Sequence, residues 1–154
     1  MKSIRRPLIA AALVAAGFVL GQAHASQAPA PPARKPIMMT RIYAGPDGQS
    51  HAEEVEMKLT ERGTADFVAT AAQFSSRPKS APGNNWHTGP RRQFVVTLVG
   101  RAELEVSDGR KVMAGPGHIN LIEDTTGKGH LTRNIEDRVV ITIPLAEAPV
   151  APAK

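Results

Sequence analysis

Between residues 37 and 145 short runs that alternate apolar and polar residues, or are apolar throughout, are separated by turn residues, the pattern of strands. Ile42-Tyr43 leads through the turn residues Gly45-Pro46-Asp47-Gly48 into Glu53 to Leu59. There Val55, Met57 and Leu59 share one side and Glu54, Glu56 and Lys58 the other. Arg101 to Val106 alternates in the same way, with Ala102, Leu104 and Val106 inward. Ser107-Asp108-Gly109-Arg110 then predicts the turn of a hairpin with Lys111 to Met113. Gln93 to Val99 is apolar on both faces and predicts a strand covered on both sides. Phe67 to Phe74 suits either a helix or a strand, and Val68, Thr70, Ala72 and Phe74 at period two favour the strand. After Gly115-Pro116-Gly117 come a strand at His118 to Ile122, a polar loop from Glu123 to Gly129 and a last strand at Val139 to Ile143. At least six short strands with tight turns predict an all-β sandwich or barrel, and closure into a barrel would remove exposed edges.

The two ends of the chain read differently. Lys2, Arg5 and Arg6 precede an apolar run from Leu8 to Leu20, and Ala23-His24-Ala25 places small residues where a signal peptidase cuts. Residues 1–25 are therefore expected to be a secretory signal cleaved after Ala25, the run being shorter than the roughly 20 residues that span a bilayer. Residues 26–36 are an Ala/Pro-rich linker and residues 146–154 a flexible tail, which leaves one domain over residues 37–145. The charge changes meaning once the signal is set aside. The formal +5 of the 154-residue chain falls to +2, because three of its 19 basic residues lie in the signal. So small a surplus, with few aromatics for stacking, excludes a nucleic-acid binder. The absence of cysteine excludes disulfides, thiolate metal sites and a thiol nucleophile. A basic signal on a cysteine-free chain points to the bacterial periplasm or the medium, with no stable membrane anchor after cleavage.

Two motifs lie in the predicted strand region. His87-Thr88-Gly89 is followed by Pro90-Arg91-Arg92, Gln93 and, six residues on, Gly100. Thr125-Thr126-Gly127 is followed by Lys128-Gly129-His130 and then Asn134, with Gly117 upstream. From Trp86 to Asn134 this arrangement resembles the cupin family of small β-barrels, whose first motif carries His-x-His, a glutamate and a glycine, and whose second carries Pro-x-Gly, a histidine and an asparagine. Gly89 stands at the family's second histidine, Gln93 at its glutamate and Thr125 at its proline. The resemblance implies a small cupin-type β-barrel, a double-stranded β-helix or jelly-roll-like fold, with His87, Gln93 and His130 together near its mouth. There they would hold one divalent metal, iron, manganese, nickel or zinc. Independently of the resemblance, Glu123 and Asp124 are the candidates for the missing carboxylate, because they stand just before the second motif in sequence.

Alternation along the strand places Gln93, Val95, Thr97 and Val99 inward and Phe94, Val96 and Leu98 outward. Gln93, Arg91 and Trp86 are the ligand-binding candidates, Arg91 through bidentate capture of a carboxylate. Two functions remain open at this level. One is an exported metal-dependent oxygenase or isomerase acting on a small molecule; the other is a metal-free small-ligand-binding or accessory protein without catalysis. The loss of two family ligands favours the second. The outward apolar face of Phe94, Val96 and Leu98 is expected to be covered, and a homodimer would do so.

Overall fold

A computed structural model describes residues 34–81 and 85–146. The expected signal, residues 26–33 of the linker and residues 147–154 of the tail lie outside the described residues. Within them run nine strands: β1 (Met38–Ala44), β2 (Ser50–Glu56), β3 (Gln73–Arg77), β4 (Gln93–Val99), β5 (Ala102–Glu105), β6 (Lys111–Ala114), β7 (Ile119–Glu123), β8 (Leu131–Asn134) and β9 (Arg138–Pro144). They form a six-stranded sheet in the order β2-β1-β7-β4-β9-β3 and a three-stranded sheet in the order β6-β5-β8. Neighbours are antiparallel except β1 and β7, which run parallel. The described strands thus make the expected all-β fold as a two-sheet, sandwich-like arrangement with edges at β2, β3, β6 and β8; among them no closed barrel of the kind the cupin resemblance implies is formed.

The predicted hairpin forms as expected. β5 and β6 pair from Ala102↔Ala114 to Glu105↔Lys111, and the turn closes with Val106 N–H donating to the Arg110 carbonyl at 3.0 Å. β4 occupies the predicted span, but its alternation breaks at a bulge between Thr97 and Val99. Val99, expected inward, is consequently 56% exposed. β2 begins three residues earlier than the pattern indicated, and its apolar side faces the other way. Ser50 and Ala52 are buried, while Val55 and Met57 pack with Met39, Phe94, Leu121 and Leu145 in a second, separate cluster. The strand expected at 67–74 lies instead at Gln73–Arg77, and the preceding segment folds back over Phe94, with Phe67 edge-on to it at 4.8 Å between centroids. The chain itself therefore covers the Phe94 end of the outward face, leaving Leu98 41% and Phe74 69% exposed.

The principal core comprises Ile42, Ala52, Val95, Leu104, Val106, Val112, Ala114, Ile122 and Val140. Register continues this row of positions into polar residues. Val95 lies opposite Asn120 on one side and Thr142 on the other, and Leu104 lies opposite Thr132. The same alternation that fills one half of the interior with aliphatic side chains thus lines the other half with amides and hydroxyls.

Candidate functional site

One short backbone approach builds the histidine end of the site. His87 and His130 form an isolated antiparallel bridge, each N–H donating to the other's carbonyl, at 3.0 and 2.9 Å. The bridge is tight enough to dictate Gly129, whose φ is +73° and where a Cβ would overlap the His87 carbonyl oxygen. Directly opposite residues project to the same side, so the two imidazoles come together with ring centroids 4.6 Å apart. His130 is buried and His87 exposed. The His130 Nδ1–H donates to Asp124 Oδ2 at 2.7 Å, and the Asp124 side chain is wholly buried. His87 Nδ1–H donates to the Asn85 carbonyl at 2.9 Å. With Nδ1 so engaged in both rings, Nε2 is the nitrogen left to meet a ligand.

Both histidines and Gln93 border a cavity of about 670 Å³. Its wall is made of side chains from β3, β4, β7 and β9 on one side and β5 and β8 on the other. At the end away from the histidines stand Arg77 and Arg138, directly opposite each other across β3 and β9. Arg138 is 2% exposed, and its Nε and Nη1 have no hydrogen-bond partner among the described residues. Burial, and secondarily the charge of Arg77, pulls the Arg138 guanidinium down to about 10. Burial also lowers Arg77. Asn120 Oδ1, Thr142 Oγ1 and Asn134 Oδ1 are likewise buried without partners among the described residues, and all three side chains border the cavity.

The remaining sequence candidates lie elsewhere. Arg91 is exposed and off the cavity wall, because Pro90 to Arg92 is a bend and alternation starts only at Gln93. Trp86 is exposed, with the Lys128 ammonium 4.2 Å from its ring centroid, and does not line the cavity. Glu123 points to the opposite face of the sheet, where it accepts hydrogen bonds from Arg41 Nε and Arg92 Nε, each at 2.5 Å. Burial raises its carboxyl, but the hydrogen bonds from Arg92 and Arg41 outweigh this and hold it below the ordinary value. Asp124 reaches the site only through the His130 ring. Sequence reasoning missed Arg77 and Arg138. For Arg138 a signal existed, since it shares strand parity with the inward Val140 and Thr142.

A resident metal does not fit this donor set. Among the described residues no three His, Cys, Asp or Glu side chains are grouped to hold a metal ion. Two neutral imidazoles and one amide supply no anionic ligand, and two guanidinium groups in the same cavity repel a cation. The family's second histidine has no room at its position, because a Cβ on Gly89 would lie 2.5 Å from Ile122 Cγ2. Compared with known proteins, the chain matches no protein-family model and no curated protein sequence.

Proposed function

We propose that this chain is an exported, cupin-like small-molecule-binding protein that works without a bound metal, taking its ligand into the cavity between the two sheets. The observation that carries the reading is the set of buried polar atoms on Asn120, Asn134 and Thr142 that have no partner among the described residues, all bordering one cavity. Buried polar groups in folded proteins are almost always paired, and several orphans facing a common space are the pattern of a site whose partners arrive with a ligand. A volume of about 670 Å³ suits a small organic molecule. Gln93, His87 and His130 supply hydrogen-bonding groups at one end, and Val95, Leu104 and Ile122 supply apolar wall.

The Asp124–His130 pair favours a second reading, proton transfer to or from the bound molecule. A buried carboxyl on Nδ1 fixes the tautomer and leaves Nε2 as the nitrogen that exchanges a proton with the bound molecule.

Elemental analysis after reloading with iron, manganese, nickel and zinc in turn tests the metal-free reading. Metal is expected far below one equivalent in every case. Stoichiometric metal in the wild type that disappears in a His87→Ala, His130→Ala variant would overturn the reading and restore a metal-dependent enzyme.

A further inference from the structure

We propose that the ligand of this cavity carries an oxyanion, a carboxylate or a phosphate, and that Arg77 and Arg138 are its receptor. The inference rests on the cavity being a binding site, and it names the chemical class that enters. β3 and β9 place the two arginines directly opposite one another, an arrangement of like charges that destabilises a sheet when nothing compensates it. Both border the cavity, and neither forms an ion pair with any described carboxylate.

The acids adjacent in sequence are engaged elsewhere. Asp137 accepts from the Lys79 backbone N–H at 2.8 Å, and Glu136 pairs with Arg101 at 2.6 Å. Arg138 is therefore a buried cation with two nitrogens, Nε and Nη1, that have no partner among the described residues, and a like-charged neighbour. Proteins keep buried charges when these are paired, so the counter-charge at this place comes from the ligand. The planar fork of a guanidinium matches two oxygens of one carboxylate or phosphate, and two such forks over one cavity can share a single anion. Nearby, the Asn134 amide N–H₂ donates to the Pro78 carbonyl at 3.2 Å, joining β8 to the end of β3 between two residues that border the cavity. The histidine end lies at the opposite end of β9, since Gln93 pairs with Pro144 and Arg138 opens the strand. The ligand is thus held by its anionic group at one end and presents its remaining polar groups to Gln93, His87 and His130 at the other.

The test measures melting temperature and titration calorimetry on the purified protein at constant ionic strength. The probes are chloride, inorganic phosphate, succinate and the neutral isostere succinamide, and the proteins are wild type, Arg77→Gln, Arg138→Gln and Arg138→Met. The expected result is saturable one-to-one binding of phosphate or succinate, at least tenfold tighter than succinamide and weakened at least tenfold in each arginine variant. A response to phosphate alone assigns a phosphorylated ligand; a response to succinate alone assigns a carboxylate. In chloride, Arg138→Met is expected to melt higher than wild type, because it removes a buried unpaired charge. An Arg138→Met variant that melts lower in chloride would make the guanidinium a structural element and overturn the inference, as would anions that bind no better than succinamide. Succinamide binding that depends on Gln93 and His130 would preserve the cavity as a ligand site while removing the oxyanion, so the two readings fail separately.

Discussion

Gly129 is where a single atom decides the site. Its left-handed φ and the His87 carbonyl oxygen beside it together leave no place for a Cβ, and the two histidines meet only because the backbones approach this closely. Gly109 gives the control: its φ is +83°, but nothing lies within 4 Å of the Cβ position. Gly109→Ala is expected to cost about 1 kcal/mol, the price of a left-handed alanine alone. Gly129→Ala is expected to cost 2 kcal/mol or more, on the order of a forced backbone shift, with loss of the His87–His130 bridge. Urea denaturation of the two variants checks this, and equal costs would mean that the overlap relaxes freely. At this scale the sequence was uneven. His130 stood out because a histidine three residues after Gly127 keeps a motif spacing, whereas Gly129 was only one of the two residues between them. Arg77 and Arg138 did not, because an arginine in a strand is by default a solvated residue and only its parity with buried neighbours says otherwise.

Strands are tied together on the outer face of the large sheet by one carboxylate. Glu123 on β7 accepts from Arg41 on β1 and from Arg92 just ahead of β4, and Arg41 also donates to Glu53 on β2 at 2.8 Å. Because the Glu123 carboxyl is held below its ordinary value of 4.5, the folded state binds its proton less readily than the unfolded chain does. Its stabilisation is therefore present above pH 4.5 and is lost as pH falls through the lower, folded-state value. Glu123→Gln is expected to be less stable than wild type by on the order of 1 kcal/mol at neutral pH, the difference shrinking in acid. Chemical denaturation at neutral pH and in steps below 4.5 checks the sign. A difference independent of pH would show that the glutamine acts through packing. Element by element, β4, the β5–β6 hairpin and β9 were legible because each concentrates apolar or β-branched residues beside strong turn residues. β8, Leu-Thr-Arg-Asn, and β3, Gln-Phe-Ser-Ser-Arg, were not. Polar residues of both strands border the cavity, so the alternation that reveals a strand is erased where the strand lines that space.

The interior divides between an aliphatic core and a polar-lined cavity, and one strand crosses the boundary. β9 points Arg138, Val140 and Thr142 to the same side; Val140 is wholly buried in the aliphatic core, and Thr142 borders the cavity with an orphaned hydroxyl. Exchanging valine and threonine changes shape very little and tests only what a hydroxyl costs or gains at each place. Val140→Thr buries a hydroxyl in a packed aliphatic cluster and is expected to destabilise by about 1–3 kcal/mol. Thr142→Val removes a hydroxyl that has no partner among the described residues, and is expected to be neutral or to stabilise by up to about 1 kcal/mol while weakening ligand capture. Urea denaturation of both variants decides the matter by sign, two positions apart on one strand. Were Thr142→Val to cost as much as Val140→Thr, the polar half of the interior would be contributing to the fold like the apolar half, and its orphaned groups would no longer argue for a ligand. Opposite signs would instead show that stability is given up along this wall in exchange for groups that only a bound molecule can satisfy, which is the usual relation between an apolar core and a binding site set into it.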